Sequence, residues 1–108
     1  MTLQDIISNF GTLSIVEKRD VTDSYTEFVI HHQDIHQWDE LLTRLLGPAQ
    51  KLSGKKPTAN DLQLTEEYGG IYDQQTLFKK EVDGQTVIAM FWPWGDQSHT
   101  TIKIAVLN

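Results

Sequence analysis

The stretch IYDQQTLFKKEVDGQTVIAMFWPWGDQSHTTIKIAVL, residues 71–107, decides the fold. Asp83-Gly84 separates two runs rich in apolar and β-branched residues. That is the strongest short-range signal for a two-residue hairpin turn. The second run ends in Phe91-Trp92-Pro93-Trp94-Gly95, where proline and glycine turn the chain again, and a third run follows to Leu107. The reading is a three-stranded antiparallel meander with two tryptophans at its tip.

The turn also sets the register, placing Val82 opposite Gln85 and Phe78 opposite Ala89. One face then carries Phe78, Val82, Val87, Ala89 and Phe91, joined by Ile102, Ile104 and Val106, and is the natural core. The other carries Lys79, Glu81, Thr86 and Thr101 together with Leu77, Ile88, Met90 and Trp92. A face turned to water alternates more cleanly than this. Two readings follow: the residues are covered by the chain itself, or they form a partner surface of a few hundred Å².

Upstream, Thr2-Leu3-Gln4-Asp5 has capping-box character, and Leu3, Ile6, Ile7 and Phe10 recur at helical spacing before Gly11. Thr12 to Lys18 and Ser24 to His31 read as strands, with Arg19 to Asp23 as the turn between them. Asp34 starts a second helix, in which Ile35, Trp38, Leu41, Leu42, Leu45 and Leu46 form one broad apolar stripe, stopped by Gly47-Pro48. Between residues 48 and 70 the pattern weakens, although Pro57 to Asp61 has the makings of a short helix running to Tyr68. The expectation is a single α+β domain over residues 1–108. It has an antiparallel sheet of about five strands in the order α-β-β-α-loop-β-β-β, with two or three helices on one face.

At 108 residues the chain is long enough to bury a core without a covalent staple. It has no cysteine, which excludes disulfides, thiolate metal sites and cysteine nucleophiles, and fits a reducing, cytoplasmic setting. The opening residues lack the basic and apolar segments of a signal peptide, and no apolar run is long enough to span a bilayer. A net charge of −6 opposes binding to nucleic acid or anionic membrane. Lys51, Lys55 and Lys56 are the single basic cluster and read as a solvated loop. No cofactor motif is legible, and Gly54-Lys55-Lys56 lacks the spacing of a phosphate-binding loop.

His31, His32 and His36 are the metal-capable candidates. Adjacent strand residues point to opposite faces, however, and His36 falls on the solvent side of its helix, so the spacing argues against a shared ion. Asp96, Ser98 and His99 bring acid, hydroxyl and imidazole together, but contiguous residues seldom form the line a catalytic triad needs; turn hydrogen bonds are the simpler reading. The functional expectation is therefore a non-enzymatic binding domain, its partner a protein or a second copy. It would use Leu77, Ile88, Met90 and Trp92, with Trp94 and Tyr68 at the rim. The alternative is a small-molecule site or enzyme between the 48–70 segment and the 92–99 loop, using Glu66, Glu67, Tyr68, Trp94 and His99.

Overall fold

Asp83 and Gly84 both take positive φ, 52° and 78°, the turn that matches the right-handed twist of the flanking strands. They join strands that pair Val82 with Gln85 and Phe78 with Ala89. The computed structural model describes residues 2–107. The elements run α1 (Leu3–Ile7), β1 (Glu17–Val21), β2 (Tyr25–His31), α2 (Ile35–Leu46), α3 (Ala59–Thr65), β3 (Thr76–Val82), β4 (Gln85–Pro93) and β5 (His99–Leu107). The strands form one antiparallel sheet in the order β1-β2-β5-β4-β3. This is the expected α+β architecture. None of the described helices is long and apolar enough to cross a membrane.

Two helices, α1 and α2, cover one face. Leu3 and Ile6 of α1 join Trp38, Leu41, Leu42 and Leu46 of α2 over Phe28, Ile30, Phe78, Val87, Ala89, Phe91, Ile102 and Ile104. The α2 stripe is buried where its spacing places it, with Trp38 fully enclosed between Phe10 and Phe28 at ring separations of 4.9 and 5.1 Å. The helix ends at Gly47, whose φ of 86° admits glycine readily and few other residues.

The first strand differs from its expected position. Residues 12–15 lie outside the sheet and Val16 makes one bond to β2, its N–H donating to the Val29 carbonyl at 2.8 Å; Leu13 and Ile15 drop onto the core as loop side chains, and β1 begins at Glu17. The turn needs fewer residues than the polar run suggests. Thr22 N–H donates to the Tyr25 carbonyl at 2.7 Å, and its hydroxyl accepts from Tyr25 N–H at 3.0 Å, so Asp20 and Val21 remain free to pair with β2. The result is a short, wholly exposed edge strand with a bulge between Lys18 and Asp20 and charges along its length, a device that discourages edge-to-edge association.

The opposite face of the sheet is closed by the chain itself. Ile71, Leu77, Ile88, Met90 and Ala105 form a second apolar cluster, each 1% exposed or less. The partner surface expected from Leu77, Ile88 and Met90 is thus interior. The cover is residues 48–75, which fold over β3 and β4, and its fastening is polar. Gln50 N–H and Lys51 N–H both donate to the Leu77 carbonyl, and Leu77 N–H donates back to Lys51, sealing the outer edge of β3. Lys51, expected in a solvated basic loop, is 3% exposed. Its ammonium donates to the carbonyls of Tyr72, Asp73 and Gln75 at 2.7, 2.8 and 2.6 Å.

A second fastening joins α3 to the start of the cover. Thr58 and Asp61 form a capping box, and Gln50 Nε2 donates to Asp61 Oδ1 at 2.6 Å. Burial opposes ionisation of Asp61. The donors from Thr58 and Gln50, with the Lys51 charge, outweigh it and hold the carboxyl below its ordinary value. A carboxyl lowered in the folded state contributes stability that is fully present above the unfolded value, about pH 3.9, and is lost as pH falls through the folded one. Asp61→Asn is expected to cost about 1–2 kcal/mol at pH 7. Urea titrations of the two proteins should converge as the pH is lowered towards 2; a constant difference across that range would refute the assignment.

Candidate functional site

With the apolar half of the second face covered, its remainder lies along β5 and β2. Here the alternation of β5 presents His99, Thr101 and Lys103 on the side where Trp92 and Trp94 lie. Trp92 is half-buried, with the Lys103 ammonium 3.6 Å from its ring centroid and Tyr72 against it edge-on. The same ammonium donates to the Tyr68 carbonyl at 2.9 Å. Burial lowers the Lys103 pKa, against the attraction of Glu27 across the β2–β5 pair. Close approach is possible because residue 69 is glycine. A Cβ there, at φ 96°, would stand 2.8 Å from Trp92 Cη2 and 3.1 Å from Lys103 Nζ.

Tyr68 stacks on Tyr25 with centroids 5.2 Å apart and planes 16° from parallel. Burial, followed by the hydrogen bond to Glu27, pushes the Tyr25 phenol up; burial and then Glu67 raise Tyr68. Both phenols are therefore fixed as neutral groups at ordinary pH. Tyr68, Glu66 and Glu67 line a cleft of about 570 Å³ beside Val106 and Leu107. That is the end of β5 remote from His99, so the expected grouping of Glu66, Glu67 and Tyr68 with Trp94 and His99 does not occur.

At the other end, the Trp94 ring lies against His99 at 4.8 Å, with the Arg19 guanidinium 5.6 Å from its centroid and its N–H donating to Thr101 Oγ1 at 3.0 Å. Trp94 is consequently a held, half-buried wall and not a projecting contact. Beside it, His32, Ser53, Gln74, Pro93, Trp94, Gly95 and Gln97 enclose a cleft of about 370 Å³. Ser53 and Gln74 belong to the covering segment and are joined by a hydrogen bond from Ser53 Oγ to the Gln74 carbonyl. The side-chain amides of Gln74 and Gln97 make no hydrogen bond among the described residues. His32 uses Nδ1 on Thr100 Oγ1, which leaves its other ring nitrogen free.

The loop chemistry around His99 is not that of an activated nucleophile. Ser98 Oγ lies 2.7 Å from Asp96 Oδ1 and 2.8 Å from His99 Nδ1. Hydrogen bonds from the Ser98 backbone and hydroxyl hold the Asp96 carboxyl below its ordinary value, so it accepts the single hydroxyl proton. The imidazole must then donate through Nδ1 to the serine oxygen. A serine nucleophile requires the reverse, with the imidazole accepting. The expected metal candidates also separate: His32 turns to Thr100, His36 is exposed on α2, and His31 meets His99 across the strand pair. No group of three or more metal-ligating His, Cys, Asp or Glu side chains occurs among the described residues.

A third cleft, about 520 Å³, lies above β1 between α1 and the loop carrying Leu13 and Ile15. Its apolar walls, Ile7, Phe10, Leu13 and Phe28, are side chains of the main core, so it is the unfilled margin of that core. Sequence reasoning singled out Trp94 but missed Ser53, Gln74 and Gln97, since isolated polar residues in loops carry no pattern. Comparison with protein-family models, with curated proteins and with solved structures finds no match to this chain.

Proposed function

We propose that this protein is a non-enzymatic binding domain whose ligand is a small, neutral, hydrogen-bonding molecule seated in the cleft between Trp94 and the covering segment. The observation that carries the reading is the character of the lining. Of the chain's 108 residues, 9 are Lys or Arg and 15 Asp or Glu, yet none of these lines the cleft. A site for an ionic ligand places at least one opposite charge where it is desolvated. This one offers instead two unengaged amides, a hydroxyl and an imidazole nitrogen beside the apolar surface of Pro93 and Trp94. Apolar wall plus a few convergent polar groups is the usual make-up of a small-molecule site, and about 370 Å³ falls within the ordinary size range.

The held position of Trp94 favours a cleft ligand over a flat protein contact. Its ring is fixed by Thr101, His99 and Arg19 before any ligand arrives, so little side-chain entropy remains to be lost. Amide shift mapping against neutral monosaccharides and amides, alongside anionic and cationic compounds of similar size, tests the reading. Shifts from neutral compounds should cluster at residues 53, 74 and 93–97. Trp94→Ala should weaken binding at least ~10-fold, about 1.4 kcal/mol. Response to charged compounds alone, or shifts unaffected by Trp94→Ala, would overturn it.

A further inference from the structure

His31 and His99 face each other across the β2–β5 pair, directly opposite in register, with ring centroids 5.2 Å apart. We propose that these two imidazoles form a bidentate site for a divalent transition metal ion such as Cu²⁺ or Zn²⁺, the remaining coordination positions being open to water or an external ligand. The ligating pair lies outside the neutral cleft, with which it shares only the Trp94 ring, and does not depend on the cleft's occupancy.

The chain behind His99 is the principal support. A histidine that ligates through one ring nitrogen almost always gives its other N–H to a hydrogen-bonded acceptor, which sets the tautomer and aims the lone pair. His99 has this arrangement: Nδ1–H donates to Ser98 Oγ at 2.8 Å, and Ser98 in turn donates to the Asp96 carboxylate at 2.7 Å. Nε2 is therefore the unprotonated nitrogen of the neutral ring. The ring is further held by Trp94 at 4.8 Å. His31 is exposed, and its ring nitrogens hydrogen-bond to nothing among the described residues, so they are free to turn to the shared ion. Imidazole suits zinc and copper, and an incomplete protein ligand set leaves positions for exchange. The nearby charges are mixed. Asp96 favours a cation, while Arg19, on the Trp94 ring, opposes one, which sets the expected affinity below that of a closed four-ligand site.

Trp94 supplies the readout, because bound Cu²⁺ beside an indole quenches its emission. Untagged protein titrated with Cu²⁺ should show saturable quenching, and calorimetry should return one site. His31→Gln and His99→Gln should each weaken binding at least ~10-fold. Asp96→Asn, which touches no metal, should weaken it about 10-fold through the tautomer of His99. His36→Gln, on an exposed helix position, should leave it unchanged. Trp94→Phe should sharply reduce the quenching, leaving only what reaches the more distant Trp92, while calorimetry still detects the ion. Retained affinity in both His31→Gln and His99→Gln, or a wild type that shows no saturable binding, would overturn the site. Circular dichroism of each variant separates lost binding from lost fold.

Discussion

Met90→Lys is expected to unfold the protein, not to alter its association. Met90 is 1% exposed and packs with Ile71, Leu77, Ile88 and Ala105 beneath residues 48–75. An ammonium at that position finds no carboxylate in the cluster, and it must either remain unpaired or lose its proton. Both outcomes are costly, about 4 kcal/mol or more, which places the substitution among the severe ones. Domains of this size have about 5–15 kcal/mol in total, so the variant should be largely unfolded or melt far below the wild type. Met90→Leu, which conserves volume and polarity, should cost less than about 1.5 kcal/mol. Urea denaturation followed by circular dichroism distinguishes the two. A Met90→Lys protein as stable as the wild type would mean that the cover is open in solution. Leu77, Ile88 and Met90 would then be available as a partner surface.

The contrast between the two faces shows which physics is local enough to read. The α2 stripe and the Asp83-Gly84 register follow from short-range periodicity and turn chemistry, so Trp38, Leu41, Phe78 and Ala89 are assigned correctly without knowledge of their neighbours. The mixed face of β3 and β4 is different. Leu77, Ile88 and Met90 announce that something covers them, but what covers them is fixed by contacts between distant segments. Lys51 reaches backbone carbonyls at positions 72, 73 and 75, and Gln50 reaches Asp61. A carbonyl acceptor leaves no trace in side-chain identity. Lys51, Lys55 and Lys56 therefore look alike as a string, although the first is enclosed and the other two are exposed.

The same limit applies to the candidate sites. Trp94 stands out by composition and position. Its partners Thr101 and Arg19 depend on the β4–β5 register and on a bulge in β1, neither of which its own segment declares. His31 meets His99 only because β5 lies between β2 and β4, a strand order the sequence left open. Contiguity was misleading in one respect. The adjacent His31-His32 pair divides between two faces, whereas the useful pairing crosses most of the chain.

Lys51→Met should be among the most disruptive single changes outside the apolar cores, lowering stability by about 1–3 kcal/mol. Three backbone carbonyls converge on the Lys51 ammonium at 2.6–2.8 Å; those of Tyr72 and Asp73 also accept from Gln75 N–H at 3.1 Å and Gly54 N–H at 2.7 Å, so the Gln75 carbonyl depends most on the ammonium. Burial pulls this amine below its ordinary pKa, with Asp73 and then Asp61 acting in the opposite sense. Methionine preserves the apolar stem but removes the one donor that ties the three carbonyls together and leaves the Gln75 carbonyl to find water or go unpaired, an unsatisfied buried group costing about 1–3 kcal/mol. Loss of the loop at 72–75 also frees Tyr72 from its edge-on contact with Trp92 and loosens the cover over Leu77 and Met90. Lys51→Arg should rescue poorly. A planar guanidinium directs its donors within one plane, whereas an ammonium directs three donors as a tripod towards three carbonyls. At an m-value of about 2 kcal/mol/M in urea, the Met variant's midpoint should fall by roughly 0.5–1.5 M. Amide exchange should accelerate first across residues 50–77. A variant within about 0.5 kcal/mol of the wild type would show that this ammonium does not fasten the segment, and that the apolar contacts of Ile71, the backbone bonds to Leu77 and the Gln50–Asp61 bond hold the second face closed without it.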